Sequence, residues 1–150
     1  MQTFKDVLFP IDLADEVERP LRYAGNLARD MGARLHLLFV VREFDFARGI
    51  FIPHENIDRM EEEFRSTAQT HMERVRASHF GDDANVNAAV AFGSPAEEII
   101  KYAAGHGIDM ILLMTHGRTG LQHAIFGSVA EKVIRLSHIP VLVVRPERMA

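Results

Sequence analysis

The run Leu35-His36-Leu37-Leu38-Phe39-Val40-Val41 decides the fold. All but one of its side chains are apolar and polar residues do not alternate with them, so a strand here is buried on both faces. Val7 to Ile11 (VLFPI) and Val141 to Val144 (VLVV) share this character, and Val86 to Phe92 and Met110 to Thr115 bring the expected strands to five. Strands covered on both sides need helical layers, and helical patterns lie between these runs in regular alternation. The expected architecture is α/β, an open five-stranded parallel sheet with helices on both faces.

The helices carry their own punctuation. Leu21, Ala24, Leu27, Ala28 and Met31 fall at three- and four-residue steps, with Pro20 in the first turn and Gly32 as the stop. Ile57 to Phe80 is the longest helical pattern, with Met60, Phe64, Ala68, His71, Met72 and Val75 expected toward the sheet and Glu61, Glu62 and Glu63 toward water. Ser94-Pro95-Ala96-Glu97 reads as a capping box with proline at the first helical position, and Gly105 as the end of that helix. Ser128-Val129-Ala130-Glu131 reads as a second box, with Val129, Val133 and Leu136 facing inward. Arg42 to Asn56, rich in aromatics and arginine, is expected to be one long irregular loop, a kind of segment that usually serves function.

With 150 residues, 47% hydrophobic and 25% charged, the chain is expected to form one domain over 1–150 with a core that needs no staples. The absence of cysteine excludes disulfides, thiolate zinc sites, iron–sulfur clusters and a cysteine nucleophile. Seventeen basic against twenty-one acidic residues, net −4, argue against a general nucleic-acid binder. The longest apolar runs have five residues, where a membrane span needs about 20. The opening MQTFKDVLFPIDLADE holds too short an apolar run for a secretory signal, so a cytoplasmic protein is expected.

In open α/β sheets a ligand sits beyond the carboxyl ends of the strands, where connections diverge to opposite faces. With strand order 3-2-1-4-5, the first and fourth strands are neighbours at that point. Three segments then matter: Asp12, the turn Thr115-His116-Gly117-Arg118-Thr119-Gly120, and Gly127-Ser128. Gly117 and Gly127 let amides approach an oxyanion, and a helix starting at Ser128 offers unpaired N–H groups to a phosphate. The Ser128 hydroxyl has two readings, phosphate ligand or cap of its own helix. Asp12 likewise reads as an acceptor for a ribose hydroxyl or exocyclic amine, or as a turn-forming residue. Arg118 reads as a phosphate partner or a solvated loop residue.

Other chemistries lack their residues. The eight histidines show no HExxH arrangement, so a metal held by side chains is not expected. There is no GxxxxGK[ST] loop, no GxSxG elbow and no carboxylate pair placed for acid–base work, and Gly105-His106-Gly107 is a helix stop. Fast catalysis is not expected.

Over essentially its whole length the sequence resembles the universal stress proteins, specifically the subgroup that binds ATP. That subgroup's signature is glycine, two residues, glycine, nine residues, glycine, then serine or threonine. Gly117, the nine residues Arg118 to Phe126, and Gly127-Ser128 match it, with Met114 in the place of the first glycine. Val129 to Arg135 (VAEKVIR) and Ile139 to Arg145 (IPVLVVR) resemble the family's ending. The resemblance implies a Rossmann-like, adenine nucleotide alpha hydrolase-like fold and a stress-response regulator that binds ATP or another adenine nucleotide, with at most slow hydrolysis. Magnesium or manganese would be carried by the phosphates. It assigns adenine and ribose contacts to Pro10, Ile11 and Asp12, a backbone adenine contact to Val40, and phosphate contacts to Gly117, Gly127, Ser128 and Val129, with His116 and Arg118 nearby. It places Met114 under the ribose and phosphates, and it makes Val141, Leu142, Val143 and Val144 the seam of a homodimer, with a protein partner still to be found. The rival expectation is a protein-interaction module of the same fold whose pocket Met114 has closed.

Overall fold

The runs at Val7 and Leu35 form strands largely buried on both faces, whereas Val141 to Val144, expected to be buried likewise, is an edge strand with no buried residue and Leu142 exposed. The computed structural model describes residues 3–12, 17–42, 54–114 and 127–145, without the side chains of 54, 55 and 57. In chain order the elements are β1 (Asp6–Pro10), α1 (Glu18–Met31), β2 (Arg34–Val41), α2 (His54–Phe80), β3 (Val86–Phe92), α3 (Pro95–Gly105), β4 (Met110–Met114), α4 (Ser128–Leu136) and β5 (Val141–Val144). The strands form one five-stranded sheet in the order β3-β2-β1-β4-β5, and every pairing is parallel. Strand and helix limits match the expected ones to within a residue or two except at α2.

Side-chain alternation divides the core into two layers. Val7, Phe9, Leu35, Leu37, Val86, Met110 and Leu112 pack with Leu21, Ala24 and Ala28 of α1 and Met72 of α2. Leu8, Leu38, Ile111 and Leu113 pack with Ala96, Ile99 and Ala103 of α3 and Ala130 and Val133 of α4. A slip of one residue in any strand would exchange its two layers, so the register is strongly fixed. The α1 helix stops at Gly32, whose φ of 65° is a left-handed value favouring glycine.

Several local expectations are corrected. The α2 helix begins at His54, so residues 54–56 are helical and the segment expected as loop shrinks accordingly; residues 43–53 lie outside the described residues. Met60 and Phe64 were expected against the sheet but are 41% and 42% exposed, and His71 is exposed too. The cause is length. A helix of 27 residues spans about 40 Å, whereas the seven residues of β3 span about 23 Å. Only its later part, from Ala68 and Met72 onward, lies over strands, and Phe64 meets Phe92 edge-on at the strand's end.

The capping boxes also differ. Ser94 occupies the N-cap of α3 with Pro95 after it, but its side chain makes no capping bond; Glu97 instead pairs with Lys132 of α4 at 3.3 Å. In α4 the N-cap is Gly127, and Ser128 is the first helical residue. Leu136, expected inward, is 40% exposed. The left-handed glycine after α3 is Gly107, φ 63°, two residues beyond Gly105. No helix among the described residues is long and apolar enough to cross a membrane.

Candidate functional site

The parallel ladder fixes which peptide groups look into the switch point. Arg34 N–H donates to the Lys5 carbonyl, and Ile11 N–H donates to the Leu38 carbonyl at 2.9 Å, so the even-numbered residues of β2 face β1. Leu35 N–H donates to Asn85, and Gly93 N–H donates to Val41, so the odd-numbered ones face β3. By that alternation the peptide groups of Val40 face the β1 side, one step beyond the last strand pairing, level with the chain that continues from Ile11 to Asp12. The backbone role that the resemblance assigns to Val40 is therefore geometrically available.

On the other flank of the switch point, α4 follows β4. It descends antiparallel to the strands, since the chain must reach Pro140, whose carbonyl accepts from Ile111 N–H at the start of β5. Its N-terminus thus lies at the carboxyl end of the sheet. The first bond of the helix runs from Glu131 N–H to the Gly127 carbonyl at 3.0 Å, which leaves the N–H groups of Ser128, Val129 and Ala130 without helical acceptors. Ser128 is exposed. The capping reading of its hydroxyl fails, because the cap position belongs to Gly127. Gly127 has φ −68° and ψ 162°, extended backbone that any residue adopts, so what glycine contributes is the missing Cβ.

Met114 ends β4 level with Val144. It is half-buried and packs against the core layer of α1 and α2, with Met110 and Leu112 of its own strand. The α4 helix lies over the opposite layer. His116, Gly117 and Arg118 lie outside the described residues, and so does the remainder of the 115–126 segment. Pro10, Ile11 and Asp12 sit where expected, at and just past the end of β1, with Ile11 buried and Asp12 exposed. Among the described residues no three histidine or acidic side chains are grouped to hold a metal.

The amino ends of the strands carry a second polar cluster that was not anticipated. Asp6 and His36 are the buried polar residues among those described, 6% and 7% exposed. Arg34 grips the Asp6 carboxylate through two nitrogens at 2.8 Å, and His36 Nε2 lies 2.9 Å from the same carboxylate. His36 Nδ1 is 3.1 Å from the Tyr102 hydroxyl on α3. The Arg34 guanidinium holds the Asp6 carboxyl below its ordinary range, helped by His36 and opposed by burial. Burial first, and then the Asp6 charge, push the Tyr102 phenol up. Asp109 closes the base by accepting the backbone N–H groups of Lys5 and Asp6 at 2.8 and 3.0 Å. The signal was in the sequence: His36 is the one polar residue of its apolar run, and Arg34 shares its side of β2.

Comparison with known proteins places this geometry in a family. The model of the universal stress protein family matches residues 3–145. Universal stress protein MJ0577 of Methanocaldococcus jannaschii is 29% identical over 154 aligned residues that cover 95% of each chain. A solved structure of MJ0577 superposes with a TM-score of 0.72 at 27% identity, covering 96% of this chain and 97% of that one. A universal stress protein in complex with cAMP shares the fold, with a TM-score of 0.61 at 18% identity over 97% and 99% of the two chains. So does a universal stress protein from Archaeoglobus fulgidus in complex with dAMP, with a TM-score of 0.53 at 19% identity over 95% and 98%. The chain belongs to the universal stress protein family.

Proposed function

We propose that the protein binds an adenine nucleotide, ATP foremost, in the crevice between the carboxyl ends of β1 and β4, and that the bound nucleotide regulates a dimer or partner surface in the cytoplasm. One observation carries this reading: the open N-terminus of α4, with the N–H groups of Ser128, Val129 and Ala130 unclaimed by the helix, stands at the same switch point toward which Val40 turns its peptide groups. Amides at a helix start favour phosphate, and a strand-end backbone edge favours an adenine ring. The fold accommodates such ligands elsewhere, since related structures hold cAMP and dAMP.

The packing of Met114 supports the open-pocket reading over the closed one. Its side chain has a place in the α1 and α2 layer, while the phosphate donors belong to the α4 side. Magnesium or manganese would enter with the phosphates. In this reading hydrolysis is slow at most, as the resemblance implies. Regulation requires that the nucleotide bind two states of the protein unequally. Among the described residues the β5 strand pairs with β4 alone, and Leu142 is 36% exposed beside a concavity of about 580 Å³ lined by Tyr23 and residues 142–145. Such an edge suits a second copy.

The test is the double variant Asp12→Ala with Gly127→Val. Both positions tolerate the change conformationally, so it is expected to keep its melting temperature within a few degrees and to lose ATP affinity at least tenfold. Wild-type affinity in the folded double variant would overturn the site.

A further inference from the structure

The sheet has two outer edges, and they are finished differently. Asn85 accepts from Leu35 N–H, and Gly93 N–H donates to the Val41 carbonyl, so the odd-numbered residues of β3 turn their peptide groups to β2. Val86, Ala88, Val90 and Phe92 turn theirs outward. The ends and the middle of that outer row are engaged. Val86 N–H folds back on the Asp83 carbonyl at 3.2 Å. The Ala88 carbonyl accepts from the side-chain amide of Gln69 at 3.3 Å, and the Arg65 guanidinium lies over the Phe92 ring, 4.3 Å from its centroid. Gln69 and Arg65 are about one turn apart on α2, so one helix face supplies both. At the opposite edge Ile111 N–H donates to Pro140, which leaves Val141 and Val143 of β5 facing outward. Among the described residues no side chain hydrogen-bonds to either of them.

An outward carbonyl on an edge strand is the acceptor that a further strand's N–H would use. Gln69 offers a carboxamide to that acceptor, so its side chain occupies the place of a neighbouring peptide group. Without it, β3 is an apolar strand of seven residues with no lysine, proline or bulge, the kind of edge on which another chain adds. The outward row also matches itself. A two-fold axis at Val90 sets Val90 against Val90, and Ala88 of each copy against Phe92 of the other, in an antiparallel ladder. Gln69 and Arg65 stand at the two positions that this ladder pairs.

We propose that α2 guards the β3 edge against a second copy of the chain: Gln69 stands in for the strand that would pair there, and Arg65 sets a charge at its carboxyl end. The sheet is then open to a further strand along β5 alone. Taken with the β5 seam of the proposed function, on which this last step rests, the guard holds assembly at two copies, because a sheet open at both edges adds chains without closing.

The experiment compares the sedimentation velocity of the whole protein with that of its Arg65→Ala plus Gln69→Ala variant over a wide range of concentration. The variant is expected to reach at least about twice the mass of the wild-type assembly, and to grow with concentration. Gln69→Lys keeps a donor for the Ala88 carbonyl and adds a charge, and it is expected to sediment as the wild type does. In the associated variant the outward N–H of Val90 is expected to exchange with solvent about tenfold more slowly than in the wild type, because a second strand now holds it. Unchanged mass in the double variant, association without slowed exchange at Val90, or association of Gln69→Lys to the same degree would each overturn the guard. Leu142→Arg separates the two edges: it is expected to split the wild-type pair and to leave the double variant joined through β3. A wild-type protein that sediments as a single copy removes the β5 seam, whereas the guard stands or falls with the double variant. Should that variant fail to fold, Gln69→Ala alone is read in the same way.

Discussion

The two ends of one sheet are built on opposite principles. At the amino ends, polar groups are buried and matched: Asp6 receives Arg34 and His36, Asp109 receives two amides, and no buried side-chain nitrogen or oxygen among the described residues lacks a partner. At the carboxyl ends, the N–H groups of Ser128, Val129 and Ala130 at the start of α4 lack helical acceptors, and Ser128 is exposed. A saturated cluster contributes to stability and specificity of packing, because any lost partner leaves a buried group unsatisfied. An unsaturated one is where a ligand gains free energy by supplying the missing bonds. Both ends are polar, and under the proposed function the second is the one that receives a ligand.

Substitutions at each end separate stability from binding. The largest expected effect is at the base. Asp6→Ala should cost about 3 kcal/mol in denaturant unfolding, since it strands His36 in the core and frees Arg34, with ATP affinity unchanged. The Asp6 carboxyl is depressed in the folded protein, chiefly by Arg34. Its stabilisation is therefore present above the unfolded value of 3.8 and is lost as pH falls through the lower folded value. The wild-type protein should lose stability along that acid limb, and Asp6→Ala should lose less there. An affinity change in Asp6→Ala would break the separation of the two ends.

Next in size is Met114→Gly. Removing a half-buried side chain from the α1 and α2 layer and placing glycine in a strand should cost about 2 kcal/mol, without raising ATP affinity. Binding that appears only in this variant would instead favour the closed-pocket module. The smallest effect on stability belongs to Ser128→Ala. Ser128 is not the cap, so unfolding should shift by less than about 0.5 kcal/mol, while ATP affinity falls several-fold. A loss near 1 kcal/mol, the usual cost of removing a cap, would restore the capping role.

The five strands and their alternation with helices were legible, because a sheet covered on both faces needs continuous apolar runs, and the expected order 3-2-1-4-5 is the observed one; which layer each strand residue joins was not, because a continuous run reads the same for both faces. Helix faces were legible only where a helix lies over strands for its full length, as α1 does. Met60 and Phe64 keep the spacing of an inward face, but spacing does not reveal that the helix outruns its sheet. Ser94 and Ser128 both satisfied the capping pattern. Glu97 found Lys132 on another helix, and the chain entered α4 one residue earlier than the pattern implied. Of the proposed crevice residues, Asp12, Gly127 and Ser128 came from topology and glycine spacing, whereas Pro10, Ile11 and Val40 came from the family resemblance. The base cluster was passed over because His36, Asp6 and Tyr102 are far apart in sequence and meet only through register and the α3 crossing.

The most direct measurement is backbone amide shift mapping of nucleotide-free protein titrated with ATP and magnesium. The account predicts saturable changes at Ile11, Asp12, Val40 and residues 127–130, with none at Arg34, His36 or Tyr102. Changes centred on the base or on the groove beside β5, or no changes in a folded protein, would contradict it.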